Sequence, residues 1–268
     1  MSFQDVLPST TPRYGYESIQ QCLDIVEQEL DRFEREEYTR SCNPYIIIYI
    51  EERDFQECFV NSGERLLTLS WDLYDYTSQA TLLKMESRPH AIVASIFDPI
   101  ILAWAQRAVD TLLVPTSTAS VRGSTRNKRP DIFWTPRDPP GGRSTKWPTL
   151  VGEVAYSEPR GKLIQDMEFW LNESHGDVKI ALTITIHARG RISIEKWKFD
   201  RLNRPRPVQK IEIVRNPAPN CPKVNGRLKI PFRDVFLCEK RGTEADLVFT
   251  ESDMENIGRY VWAFQSAD

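Results

Sequence analysis

The run TLVGEVAY, residues 149–156, constrains this chain more than any other stretch. Its apolar residues read as a buried strand, and a helix start follows at once. Glu153 sits within it, and a carboxylate is costly to bury without a partner. Whatever fold forms must give that carboxylate a partner or a task.

The elements around it define the fold class. An apolar helical pattern starts near Pro89, which suits a first helical turn, and runs to about Leu113, with Pro99 as a kink or restart. PDIFWTP (130–136) reads as a short strand, and the loop PRDPPGGRSTKWP leads from it to TLVGEVAY. Residues 159–173 read as a helix with Leu163, Met167, Trp170 and Leu171 on one face. DVKIALTITIHARGRISIEKWKF then reads as a β-branched hairpin across Ala188-Arg189-Gly190. The order helix, three strands, helix, two strands predicts a mixed α/β domain with a central sheet flanked by helices.

Both flanks read as additions. Ile19, Cys22, Leu23, Val26, Leu30 and Phe33 recur at helical spacing between Tyr16 and Tyr38, followed by a strand at 44–50 and another at 65–71 across an Asn61-Ser62-Gly63 turn. Toward the C-terminus, Pro-rich links (NRPRP, NPAPNCP) precede a strand or two near KIPFRDVFL and DLVFT. A last helix opens at Glu251-Ser252-Asp253 and packs Met254, Ile257, Val261 and Trp262. The expected division is residues 1–74 as N-terminal additions, 75–200 as the core and 201–268 as an extension packed on it.

Composition excludes some classes. Hydrophobic residues are 40% and charged ones 27%, as in ordinary globular chains, and the net charge of −3 gives no overall pull toward nucleic acid or membrane. Cys22, Cys42, Cys58, Cys221 and Cys238 are scattered, odd in number and served by three histidines, which speaks for reduced thiols rather than a zinc site. Without a basic-then-apolar leader or a membrane-length apolar run, the expected location is intracellular, cytoplasmic or nuclear.

Asp131 opens one strand, and Glu153 closes another 22 positions later. If the two strands pair antiparallel, both carboxylates lie at one end of the sheet. Two such oxygens suit a hard cation such as Mg²⁺, which can activate water and offset charge on a phosphodiester. The plainer readings are that Asp131 starts a strand or caps a turn, and that Glu153 pairs with a lysine or arginine. Between Arg122 and Lys146, seven cations (Arg122, Arg126, Lys128, Arg129, Arg137, Arg143, Lys146) stand against Asp131 and Asp138. That excess could hold phosphates beside the carboxylates, or be a solvated loop.

These motifs together resemble the PD-(D/E)XK nuclease superfamily, most closely its restriction-endonuclease-like families of the Uma kind and similar fungal proteins. The matching stretches are LLKMESRPH (82–90), Pro130-Asp131, Glu153-Val154 with Ser157, and Trp170 at a helix end, over roughly residues 75–200. The resemblance implies a restriction-endonuclease-like core and a nuclease dependent on Mg²⁺ or Mn²⁺. Asp131 and Glu153 would be its metal ligands and His90 would lie near the site. Arg122, Arg126, Lys128 and Arg129 would contact nucleic acid, DNA for preference, with a homodimer as a further option. In the superfamily a lysine stands two residues after the acid; Ala155 occupies that place here. Lys162, one turn before Asp166, is the candidate replacement, a plain Lys162–Asp166 surface pair the competing reading, and Lys179 or Gln165 weaker stand-ins. Two functions stay open: a nuclease, and an inactive member of the fold that binds nucleic acid or protein.

Overall fold

A computed structural model describes residues 2–36, 43–108, 112–115, 119–156, 158–221 and 223–265. Ser157 and Cys42 lie outside the described residues. The chain divides into two compact units, Met1–Ser87 with Thr118–Arg129, and Arg88–Ser117 with Pro130–Asp268. Strands and helices are numbered along the whole chain.

The first unit carries β1 (Arg13–Gly15), β2 (Tyr45–Tyr49), β3 (Trp71–Asp75), β4 (Ala80–Lys84), β6 (Val121–Arg122) and β7 (Arg126–Lys128), with helices α1 (Ile19–Glu36), α2 (Glu52–Phe55) and α3 (Arg65–Ser70). Its sheet runs β1-β2-β4-β3-β7-β6, parallel at β1–β2 and antiparallel elsewhere. One face packs Val26 and Phe33 of α1 against Ile46, Ile48, Phe55, Phe59 and Tyr74. The Phe55 and Tyr74 rings stack 4.3 Å apart. Residues 65–71, expected as a strand, fold as α3, and the strand starts at Trp71 where the expectation ended. A short apolar run has no decisive period of its own, and the Thr68 and Ser70 hydroxyls donate back to the Arg65 and Leu67 carbonyls, as helical residues do. An expected boundary after residue 74 would cut β3; the chain divides after Ser87 and returns for one hairpin.

The second unit holds β5 (Leu113–Pro115), β8 (Ile132–Pro136), β9 (Leu150–Tyr156), β10 (Ile180–Ile186), β11 (Ile192–Phe199), β12 (Pro205–Ile213) and β13 (Val224–Asn225) in one sheet, ordered β13-β12-β11-β10-β9-β8-β5. β9 and β10 are parallel and the other pairs antiparallel, so the sheet is mixed. Helices α4 (Arg88–Ala105), α5 (Arg160–Glu168), α6 (Phe232–Phe236) and α7 (Glu251–Ala263) accompany it, with a small β14–β15 pair (Lys229–Ile230, Leu247–Val248). The mixed α/β class is the one expected, and α4, β8, β9, α5, β10 and β11 follow the order read from the sequence. α4 ends at Ala105 rather than near Leu113, where β5 begins, and β6 and β7 intervene in the chain and pair in the first unit.

The two faces of this sheet differ in character. Leu150 and Val154 of β9, Leu182 and Ile184 of β10, and Ile192 and Ile194 of β11 share a core with Val93, Phe97 and Ile101 of α4 and with Ile257 and Val261 of α7. Alternation puts Glu153 and Ala155 on the opposite face, together with Thr183 and Thr185 of β10 and Glu195 of β11. That polar face is the one α5 covers. A Thr250–Asp253 capping box starts α7, and Gly190 turns the β10–β11 hairpin at φ +81°, which a side chain rarely adopts.

Candidate functional site

β8 and β9 pair antiparallel with Ile132 opposite Gly152. Continuing that register by one position sets Asp131 opposite Glu153, so both carboxylates occur at the same end of this strand pair. Glu153 is in the middle of β9 rather than at its close, and it is the β8 ladder that stops there. Asp131 finishes that ladder with its side chain. The Val154 N–H donates to Asp131 Oδ2 at 2.6 Å, taking the acceptor a further strand residue would have offered. The plain reading of Asp131 as a strand-end cap is thus part of its role. His90, in the first turn of α4, brings Nε2 to 3.2 Å from the same Asp131 oxygen. Gly152 allows the strands to meet there, since a Cβ on it would fall 3.1 Å from Ile132 Cβ.

Glu153 is 2% exposed. The Trp170 indole N–H donates to its Oε1 at 2.6 Å. The indole is fixed by edge contacts with Phe169 and Trp147, at ring separations of 5.1 and 6.2 Å. Trp170 was legible in the sequence as a core residue, but its service to the buried carboxylate was not. A tryptophan buried on a helix face supplies apolar area and one N–H donor together.

Lys162, Asp166 and Trp170 stand four residues apart along α5 and its π-helical continuation, Phe169–Glu173, so they form one stripe. Lys162 Nζ is 2.7 Å from Asp166 Oδ2, with the two side chains 2% and 3% exposed. The pair exists, but it is buried and not a surface pair. Trp170 meets Glu153 at one end of this stripe, and the Lys162–Asp166 pair lies toward the other. Lys179 donates to the Gly176 carbonyl and closes its own turn. Gln165 is buried beside the stripe on α5.

The basic run divides. Arg122, Arg126, Lys128 and Arg129 lie in the first unit, on or beside its β6–β7 hairpin, and each is engaged there. Lys128 is 1% exposed with Nζ 2.6 Å from Asp72, which removes it from any surface that meets phosphate. Arg126 pairs with Asp75 at 3.2 Å and Arg122 with Glu52 at 2.8 Å, while Arg129 donates to the Thr68 carbonyl and lies over the Trp71 ring. In the second unit Arg143 Nη2 donates to the carbonyls of Trp147, Pro148 and Asp177, which ties down the loop before β9. Burial lowers its pKa from the usual value, and Asp177 opposes that shift. Lys128 and Arg143 are thus withdrawn from the surface, whereas Arg122, Arg137 and Lys146 stay exposed.

No family model matches the sequence, and neither does any curated protein. Among solved structures the chain is similar to the crystal structure of a DUF820 protein from Anabaena variabilis ATCC 29413, described as a "putative nuclease". The identity is 11% and the TM-score 0.35, over 55% of this chain and 81% of that chain. At that level no residue role transfers. Among the described residues, no helix is long and apolar enough to cross a membrane.

Proposed function

We propose that this protein is a divalent-metal-dependent phosphodiesterase that cuts nucleic acid, DNA for preference. The observation that supports the reading is the β8–β9 register, which, continued by one position, brings Asp131 opposite Glu153. The donor types suit a hard cation: two carboxylates rather than thiolates. Asp131 and Glu153 would hold Mg²⁺ or Mn²⁺. When bound, such an ion supplies Lewis-acid charge that offsets negative charge on a phosphodiester and eases deprotonation of water. His90 and the Val154 N–H fix the Asp131 carboxylate, and the Trp170 N–H fixes that of Glu153, so the oxygens are aimed before any ligand arrives. Lys162, buried on α5, would supply the positive charge that Ala155 does not.

A second reading is favoured by one specific contact. The Lys162 ammonium is already 2.7 Å from Asp166, so it can serve the fold alone. The protein would then be an inactive member of the fold that binds nucleic acid or protein.

The test is cleavage of single- and double-stranded DNA and RNA with Mg²⁺ or Mn²⁺, run beside Asp131→Asn and Glu153→Gln. The expected loss exceeds about a hundredfold in either variant, more than removal of an outer-shell partner gives. Cleavage that persists in both variants refutes the metal site. Absence of cleavage on every substrate with either ion selects the binding reading.

A further inference from the structure

In the second unit, cations gather at the tip of the β11–β12 hairpin. Between Lys196 and Lys210 the chain carries Lys196, Lys198, Arg201, Arg204, Arg206 and Lys210 against one acid, Asp200, in a protein of net charge −3. That acid faces inward. Asp200 Oδ1 accepts the N–H groups of Leu202 and Arg204 at 2.8 and 2.9 Å, and Oδ2 accepts Arg204 Nε–H at 3.2 Å. These donors, the Arg204 backbone first, hold its carboxyl below the usual range. The loop is thereby closed on itself, with Asn203 in the left-handed region at φ +52°.

The cations are presented on a stiff, twisted arm. Lys198 stands opposite Arg206, so both lie on one face, and a bulge between Lys196 and Trp197 displaces Val208 from the register. Pro205 and Pro207 lack backbone donors on the part of β12 that β13 does not cover and discourage pairing with another sheet. Burial, and then the neighbouring charge of Lys198, lower the pKa of Lys196. Lys198 is paired with Asp234, whereas Arg201 and Arg206 are exposed. Beside them Leu202 is 70% exposed and Val208 52%. An apolar tip flanked by arginines is the composition that meets both the phosphates and the base edges or steps of nucleic acid.

The geometry points to this hairpin tip as a nucleic-acid clamp, with Arg201, Arg204 and Arg206 on the phosphate backbone and Leu202 at the groove. The ligand class rests on the nuclease reading above. Glu195 lies in the same cross-strand row as Glu153 through Thr183, and the tip is six residues beyond it, away from the Asp131 end. At strand rise and spacing that is roughly 20 Å from Glu153, less than the ~34 Å turn of a duplex. In this proposal the clamp would set where along a duplex the carboxylates act.

The experiment uses the full chain and a fluorescein-labelled 25-base-pair DNA, with anisotropy read in EDTA over a salt series. Arg201→Gln/Arg204→Gln/Arg206→Gln should bind about 10- to 100-fold more weakly and flatten the salt slope by roughly 2 to 3, near 0.9 per phosphate lost. The Arg201→Gln/Arg206→Gln double variant, which leaves the Asp200–Arg204 contact intact, should lose close to two-thirds of that slope. Replacing all three by lysine should retain it. An unchanged slope in the triple variant overturns the clamp, as does a wild type that binds phosphatidylserine vesicles but no duplex. Cleavage by the wild type with an unchanged triple-variant slope sinks the clamp alone. Weakened binding without cleavage under any ion sinks the nuclease reading and keeps the clamp.

Discussion

Lys162→Met tests the buried pair directly. The substitution keeps the length of the side chain but leaves Asp166, 3% exposed, with its carboxylate buried and the 2.7 Å ammonium gone. Removing one member of a buried ion pair costs about 3–5 kcal/mol. In a unit of this size each kcal/mol lowers Tm by about 2–4 °C, so the expected drop is roughly 6–20 °C. Removing both charges, in Lys162→Met/Asp166→Leu, should recover most of the loss, because a well-packed apolar pair of similar volume is often as stable. Urea denaturation followed by tryptophan fluorescence reads the difference. A single variant within about 1 kcal/mol of the wild type would refute the argument, since only a hydrated pair is worth so little.

The same double variant separates structure from chemistry. If Lys162 serves a reaction, the refolded, restabilised protein stays inactive, because no ammonium has been returned. If the pair serves the fold alone, any cleavage activity recovers with stability.

Three further outcomes are expected. Trp170→Phe removes the N–H that meets Glu153 at 2.6 Å while leaving most of the ring packing, and should cost about 1.5–3 kcal/mol by urea titration, the worth of a hydrogen bond to a charged group; a neutral result would mean that Glu153 is not held by this bond. Burial raises the pKa of Asp98 above the usual carboxyl range, and the Trp134 N–H at 3.0 Å opposes that shift. A raised folded pKa gives stability that is present below the unfolded value, about 4, and is lost as pH rises through the folded value. Asp98→Asn should therefore stabilise the protein at pH 7 and lose that advantage toward pH 4, and melting curves with the opposite trend would refute the assignment. Arg143→Lys cannot reproduce a guanidinium that reaches three carbonyls, so it should loosen the 137–148 loop; proteolysis there no faster than in the wild type would count against that anchoring.

What could be read from the sequence follows from period and chemistry. The alternation of IALTITI, residues 180–186, announced an apolar face and a threonine face, and the Asn-free turn at Ala188-Arg189-Gly190 still declared itself through glycine. The carboxylates of Asp131 and Glu153 were legible because an acid in an apolar strand demands a reason. Their partners were not, because the Val154 N–H is every residue's amide and the Trp170 N–H is hidden in a residue that also reads as plain core. Charge was the most misleading signal. Arg126 and Lys128 sit in a short strand whose neighbour, β3, carries Asp72 and Asp75, and those two acids lie more than fifty residues upstream. A hairpin 70 residues farther on pairs Lys198 and Lys210 with Asp234 and Glu212 but leaves Arg201 and Arg206 exposed, because Asp200 is tied into its own turn. Net charge along a window counts side chains, whereas a phosphate meets only those that folding leaves exposed. The exposed arginines of β11–β12 and the paired cations of β6–β7 are the same physics with opposite outcomes, decided by where the nearest carboxylates fold.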